Sequence, residues 1–152
     1  KNTLYTTLKR YVDQGLLFRI HKGFYAIKPV AEIDPLLLGV KALHGYAYIS
    51  TETVLSDGGI IQQQVPSFTL ISATSKRFSI AGHHYYSRRL PDEFLYQSPG
   101  IETNNHGVRK ATLSRAVADL LYFNPRAYFD AKQLIDWERV RTIQREIGYP
   151  LV

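Results

Sequence analysis

The stretch that most restricts what this chain can become is its first 28 residues, where a helical pattern runs directly into two strand patterns. Leu4, Leu8, Tyr11 and Val12 recur at helical spacing and predict one apolar stripe on a short helix. Gly15 stands where that helix should stop, because glycine enters the left-handed cap without a Cβ clash. Residues 16–20 and 24–27 then predict two short strands, joined by a turn at His21-Lys22-Gly23. A helix followed at once by a basic-tipped hairpin has the order of a recognition helix and its wing.

Charge sharpens that expectation. Residues 1–28 hold six basic side chains (Lys1, Lys9, Arg10, Arg19, Lys22, Lys28) against the single acid Asp13, a net of +5. The whole chain has 19 Lys and Arg, 13 Asp and Glu, and a net of +6, so nearly all of the surplus lies in the first fifth. A concentrated positive patch attracts a phosphate backbone and speeds encounter with it. Thr3, Thr6, Thr7, Lys9, Arg10 and Gln14 all avoid the apolar stripe. Thr6, Thr7, Arg10 and Gln14 suit base edges in a major groove. Lys9, Arg19 and Lys22 suit phosphates, which fix register without reading sequence. The expected domains are therefore residues 1–28, the recognition helix and wing of a winged helix-turn-helix; a linker at 29–35; and an α/β domain over 36–152. A helix-turn-helix needs a helix before its recognition helix, and residues preceding Lys1 are expected to supply it. The competing interpretation is a solvated basic helix that touches nothing.

Beyond the linker, Asp34 reads as an N-cap with Pro35 in the first turn of a helix reaching about Leu43. A strand is expected over 46–50, then a short helix over 52–55 capped by Ser50 or Thr51 and stopped by Gly58-Gly59. Residues 67–73 predict a buried strand, and 77–80 with 83–88 a hairpin around Ala81-Gly82. Pro91 opens a helical turn; residues 101–108 read as a loop or edge strand; 113–122 form an amphipathic helix stopped near Asn124-Pro125. Helices over 131–135 and 137–147, the second capped by Asp136, complete the chain. Strands and helices intermingle without strict βαβ spacing, which favours α+β over a doubly wound sheet.

Composition excludes several function classes. No apolar run approaches the roughly 20 residues needed to cross a bilayer, so no membrane partner is expected and a cytoplasmic location is. The absence of cysteine removes disulfides and thiolate metal sites. His83 and His84 are adjacent on an expected strand and point to opposite faces, so they do not share an ion. Arg115 and Asp119 lie four apart and are expected to pair at the surface or between helices. No serine sits in a nucleophile-elbow glycine pattern and no carboxylate pair has nuclease spacing, so no enzyme, no metal and no cofactor are expected. Lys76, Arg77, Arg88 and Arg89 fall at the ends of neighbouring expected strands with Tyr85 and Tyr86 between them. They form a second basic patch for DNA phosphates, an RNA or an acidic partner, or else a charged guard on a sheet edge.

Four segments, in order, resemble one family. The run from Gly15 to Tyr25 is similar to the wing of AbiEi-type antitoxins of type IV, abortive-infection toxin–antitoxin systems. The runs from Tyr48 to Leu55, from Phe68 to Arg77 and from Ala111 to Leu121 resemble that family's strand-to-helix stretch, central strand with basic turn, and later helix. One departure is that Leu113-Ser114 stands where the family often has Pro-Glu. The resemblance implies a transcriptional repressor that binds repeats in its own promoter through double-stranded DNA. It also implies a counterpart, a co-encoded nucleotidyltransferase-type toxin. The rival expectation is an interaction module that neutralises a toxin directly without sequence-specific DNA binding. A metal-dependent nuclease fused to a winged helix is a third class, which the missing carboxylates disfavour.

Overall fold

A computed structural model describes residues 2–21 and 23–150; Lys22, the expected tip of the hairpin, lies outside the described residues. The fold is mixed α+β. Helix α1 (Asn2–Asp13) ends as its sequence requires: Gly15 takes φ +75°, and the Leu16 amide donates to the Tyr11 carbonyl at 2.9 Å. Strands β1 (Phe18–His21) and β2 (Phe24–Ala26) pair antiparallel, with an irregularity between Arg19 and His21. Ile20 and Phe24 pack against the main core, and the Phe24 ring meets His44 edge-on at 5.5 Å. The expected linker contains a 3-10 turn, Val30–Glu32, whose Val30 packs against the core together with Ile33.

The body is a six-stranded mixed sheet, in the order β5-β6-β4-β3-β8-β7. Its strands are β3 (Ala47–Ile49), β4 (Phe68–Ser72), β5 (Lys76–Ile80), β6 (His83–Arg89), β7 (Ile101–Thr103) and β8 (Arg109–Ala111). Its helices are α2 (Pro35–Ala42), α3 (Glu52–Asp57), α4 (Asp92–Leu95), α5 (Leu113–Phe123) and α6 (Trp137–Ile147). Segment 101–108, expected as loop or edge, supplies the edge strand β7 and the turn into β8. Residues 131–135 form only a 3-10 turn, Lys132–Leu134, in place of the expected helix.

Register assigns the two faces of the sheet. Tyr48, Ile71 and Arg88 are mutual neighbours across β3, β4 and β6, as are Thr69 and Tyr86. This face meets α3 and α5, because Tyr48 bonds to Asp119 and Arg88 to Glu52. The alternate residues Ile49, Leu70 and Tyr85 face α2, where the Tyr85 phenol donates to the Pro35 carbonyl at 2.6 Å. Helix α6 packs on α5.

Two helix starts differ from expectation. Asp34 occupies the N-cap position of α2 but makes no capping bond; its Oδ2 is buried without a partner among the described residues. Thr51 precedes α3 at φ 60°, ψ −129°, a rare conformation for a β-branched residue. That junction is held by reciprocal bonds, in which the Thr53 amide donates to Thr69 Oγ1 and the Thr69 amide to Thr53 Oγ1. Asp136, by contrast, caps α6 as its sequence predicts, accepting from the Arg139 amide at 3.0 Å.

Candidate functional site

On α1, Thr3, Thr7, Arg10 and Gln14 are spaced i, i+4, i+7 and i+11, with Thr6 alongside, so they share an arc of about 100°. Thr3, Thr6, Lys9, Arg10 and Gln14 are exposed; Thr7 is half-buried, and its hydroxyl donates to the Thr3 carbonyl at 2.9 Å. Thr7 is therefore committed to its own helix, a bond that the spacing alone permits but does not reveal. Arg10 stands over the Tyr11 ring, its guanidinium carbon 5.8 Å from the centroid. Arg19 is exposed on β1. The apolar stripe on the other side is only partly covered: Leu8 and Val12 are half-buried, while Leu4 is 66% exposed and Tyr11 38%.

The second basic patch is divided by the sheet. Lys76 pairs in register with Ser87 and so shares the α2 face with Arg89, whereas Arg77 pairs with Tyr86 and shares the α3–α5 face with Arg88. Strand alternation, not spacing along the chain, decides this. On the second face the side chains interleave: Arg77 lies 3.9 Å over the Tyr86 ring, Arg88 5.1 Å from that ring and 5.6 Å from the Phe123 ring. Arg88 is also held by a bidentate ion pair with Glu52, one arm at 2.8 Å, and it donates to Thr51 Oγ1 at 2.8 Å. Burial pushes the Glu52 carboxyl up, but the hydrogen bonds and charge of Arg88 overcome it and hold the group below its ordinary range. Lys76 and Arg89 remain exposed. Glu52 was invisible as a partner from sequence, since 36 residues separate it from Arg88.

Arg115 and Asp119 are not a surface pair: both are fully buried. Arg115 donates to Asp119 Oδ1 at 3.0 Å, to the Gln97 and Pro99 carbonyls at 2.8 and 2.7 Å, and to the Tyr48 phenol oxygen at 2.9 Å. Asp119 also accepts from Tyr48, Ser50 and Tyr149 at 2.9, 2.8 and 2.6 Å. Burial, and then the Asp119 charge, push both phenols well above the ordinary tyrosine range. The side chains of the network are buried among the described residues, and they join β3, α5 and the segment after α6. Four-residue spacing announced the pair but not its burial.

His83 and His84 alternate across β6 as expected, His83 against the Phe68 ring and His84 bonded to Ser79. Among the described residues no three His, Asp or Glu side chains gather as a metal site, and no helix is long and apolar enough to cross a membrane. No protein-family model matches the chain, and no curated protein matches it.

Proposed function

We propose that the chain is a DNA-binding transcriptional regulator of the AbiEi antitoxin type, non-enzymatic and cytoplasmic, whose first 28 residues are the recognition helix and wing of a winged helix-turn-helix. The observation that carries this reading is the exposed polar arc of α1, set directly before an antiparallel hairpin in a segment of net charge +5. In the proposed mechanism the basic segment docks on phosphates, Arg10 and Gln14 meet base edges, and Lys9, Arg19 and Lys22 clamp the backbone. By the same resemblance the operon it represses encodes a nucleotidyltransferase-type toxin that it counters.

The test is selection of a duplex operator by the full chain, followed by titration of variants at several salt concentrations. Arg10→Ala should weaken operator binding by roughly tenfold or more and relax specificity at one position. Lys22→Ala should weaken all duplexes alike and reduce the slope against log salt by about one unit. Failure to select any sequence, or unchanged affinity in both variants, would refute the contact scheme.

A further inference from the structure

Three neighbouring cavities open around Glu52, of about 410, 370 and 260 Å³. The first is lined by Ser75, Tyr86, Arg88, Arg89, Phe123 and Asn124 besides Glu52 and Leu120. Its floor is the Glu52–Arg88 pair. Of the five N–H groups of Arg88, two bond to Glu52 and one to Thr51. Those bonds hold the terminal edge of the guanidinium and the Tyr86 phenol engages it as well, so Arg88 meets the cavity as a fixed positive charge. Arg89 starts on the opposite face of β6, at the end of the strand, and is an exposed second cationic residue at the edge of this cavity. Ser75 adds a hydroxyl at the same wall. Phe123 provides an aromatic surface, and Asn124, whose Oδ1 accepts from the Arg126 amide, keeps its NH2 as a donor beside it, a pairing suited to a planar heterocycle. The volume is that of a small-molecule site.

Backbone strain points to the same place. Thr51, at φ 60° and ψ −129°, is the acceptor that completes the hold on Arg88. Strained residues persist where surrounding contacts over-determine them, and they concentrate at ligand clamps. Here the reciprocal Thr53–Thr69 bonds and the Arg88 contact fix the strained turn.

We propose that this cavity is a nucleoside monophosphate site, with the phosphate between Arg88 and Arg89 and the base beside Phe123 and Asn124. The site belongs to the α/β body and is separate from the duplex-reading role assigned to α1. The full chain is titrated calorimetrically with the four common nucleoside 5′-monophosphates, their nucleosides and inorganic phosphate, and any bound nucleotide is then challenged with duplex DNA. At least one monophosphate should bind saturably, about tenfold or more tighter than its nucleoside and than inorganic phosphate, which is over 1 kcal/mol from each half of the ligand. Arg89→Gln should weaken it about fivefold or more while leaving the urea unfolding midpoint in place, and Phe123→Leu should weaken it by a similar factor. The proposal is overturned by the absence of saturable binding at millimolar nucleotide, by equal affinity for inorganic phosphate, or by variants that bind as tightly as the native chain. Displacement of the nucleotide by duplex DNA also overturns it, since the cavity would then belong to a duplex interface. A nucleotide site with no operator binding would refute the regulator and spare this site; operator binding with no nucleotide site would do the reverse.

Discussion

Asp119→Ala removes the one carboxylate facing a fully buried guanidinium, and its cost can be assembled from the contacts it breaks. Leaving Arg115 charged and unpaired costs about 3–5 kcal/mol. The hydroxyls of Tyr48, Ser50 and Tyr149 lose their acceptor, at about 1 kcal/mol each or somewhat more. The total approaches the whole stability of an ordinary domain, about 5–15 kcal/mol, so the variant should be unfolded or nearly so in buffer. Tyr149→Phe is the graded version. It deletes a single donor to the carboxylate, leaves three others, and preserves the ring stacked on Tyr122 at 4.8 Å. A hydrogen bond to a charged group contributes about 1.5–3 kcal/mol. With a urea slope of about 2 kcal/mol per molar, the midpoint should fall by roughly 1 M. The lone tryptophan, Trp137 at the start of α6, reports the transition by fluorescence. Arg139→Ala is the control, because its pair with Glu146 is half-exposed, 3.7 Å long, and worth less than about 1 kcal/mol. An Arg115→Met/Asp119→Leu double variant should regain only the part due to the unpaired charge, because the Tyr48, Ser50 and Tyr149 hydroxyls and the Gln97 and Pro99 carbonyls stay without their partners. If Asp119→Ala and Arg139→Ala unfold at the same urea concentration, the buried network is not what holds β3 to α5 and the reasoning fails.

Acid should act on a different pair. The Glu52 carboxyl titrates below its ordinary value of 4.5 in the folded chain, so its contribution is complete above that pH and disappears as pH falls through the lower folded value. The urea midpoint should therefore drop below about pH 4.5, and Glu52→Gln should flatten that part of the profile. At Gly39 an added Cβ would overlap Cδ1 and Cε1 of Tyr85, whose ring stacks on Phe78 at 5.0 Å. Gly39→Ala should cost about 1–3 kcal/mol in a urea titration, and an unchanged midpoint would show that the α2–β6 contact is loose.

Local signals carried over well where the chain itself makes the contact. Ala81 and Gly82, at φ 52° and 82°, form the two-residue turn that their place between strand patterns predicts. Asp136 caps α6 because its partner amide is three residues away. Asp34 fails the same test: cap-forming chemistry places the helix start, but whether the carboxylate turns to the amides depends on what packs around it. The sites are harder to read. Tyr48 and Tyr149 are 71 and 30 residues from Asp119, and Arg88 is 36 from Glu52, so no window along the chain contains them together. The four cations Lys76, Arg77, Arg88 and Arg89 look like one patch in sequence, and only the strand register separates them into two pairs.

The position of β3 has a consequence for biosynthesis. This three-residue, wholly buried strand is bordered by β4, which follows soon after, and by β8, which joins it in parallel only through the Ile49–Lys110 register. Until the ribosome has released residues 109–111, one side of an apolar strand has nothing to bond to. Nascent chains paused before that point would offer an open template to one another. Truncations that stop short of β8 should therefore accumulate as insoluble material, whereas those that lose only residues ahead of α2 keep every strand of the main sheet.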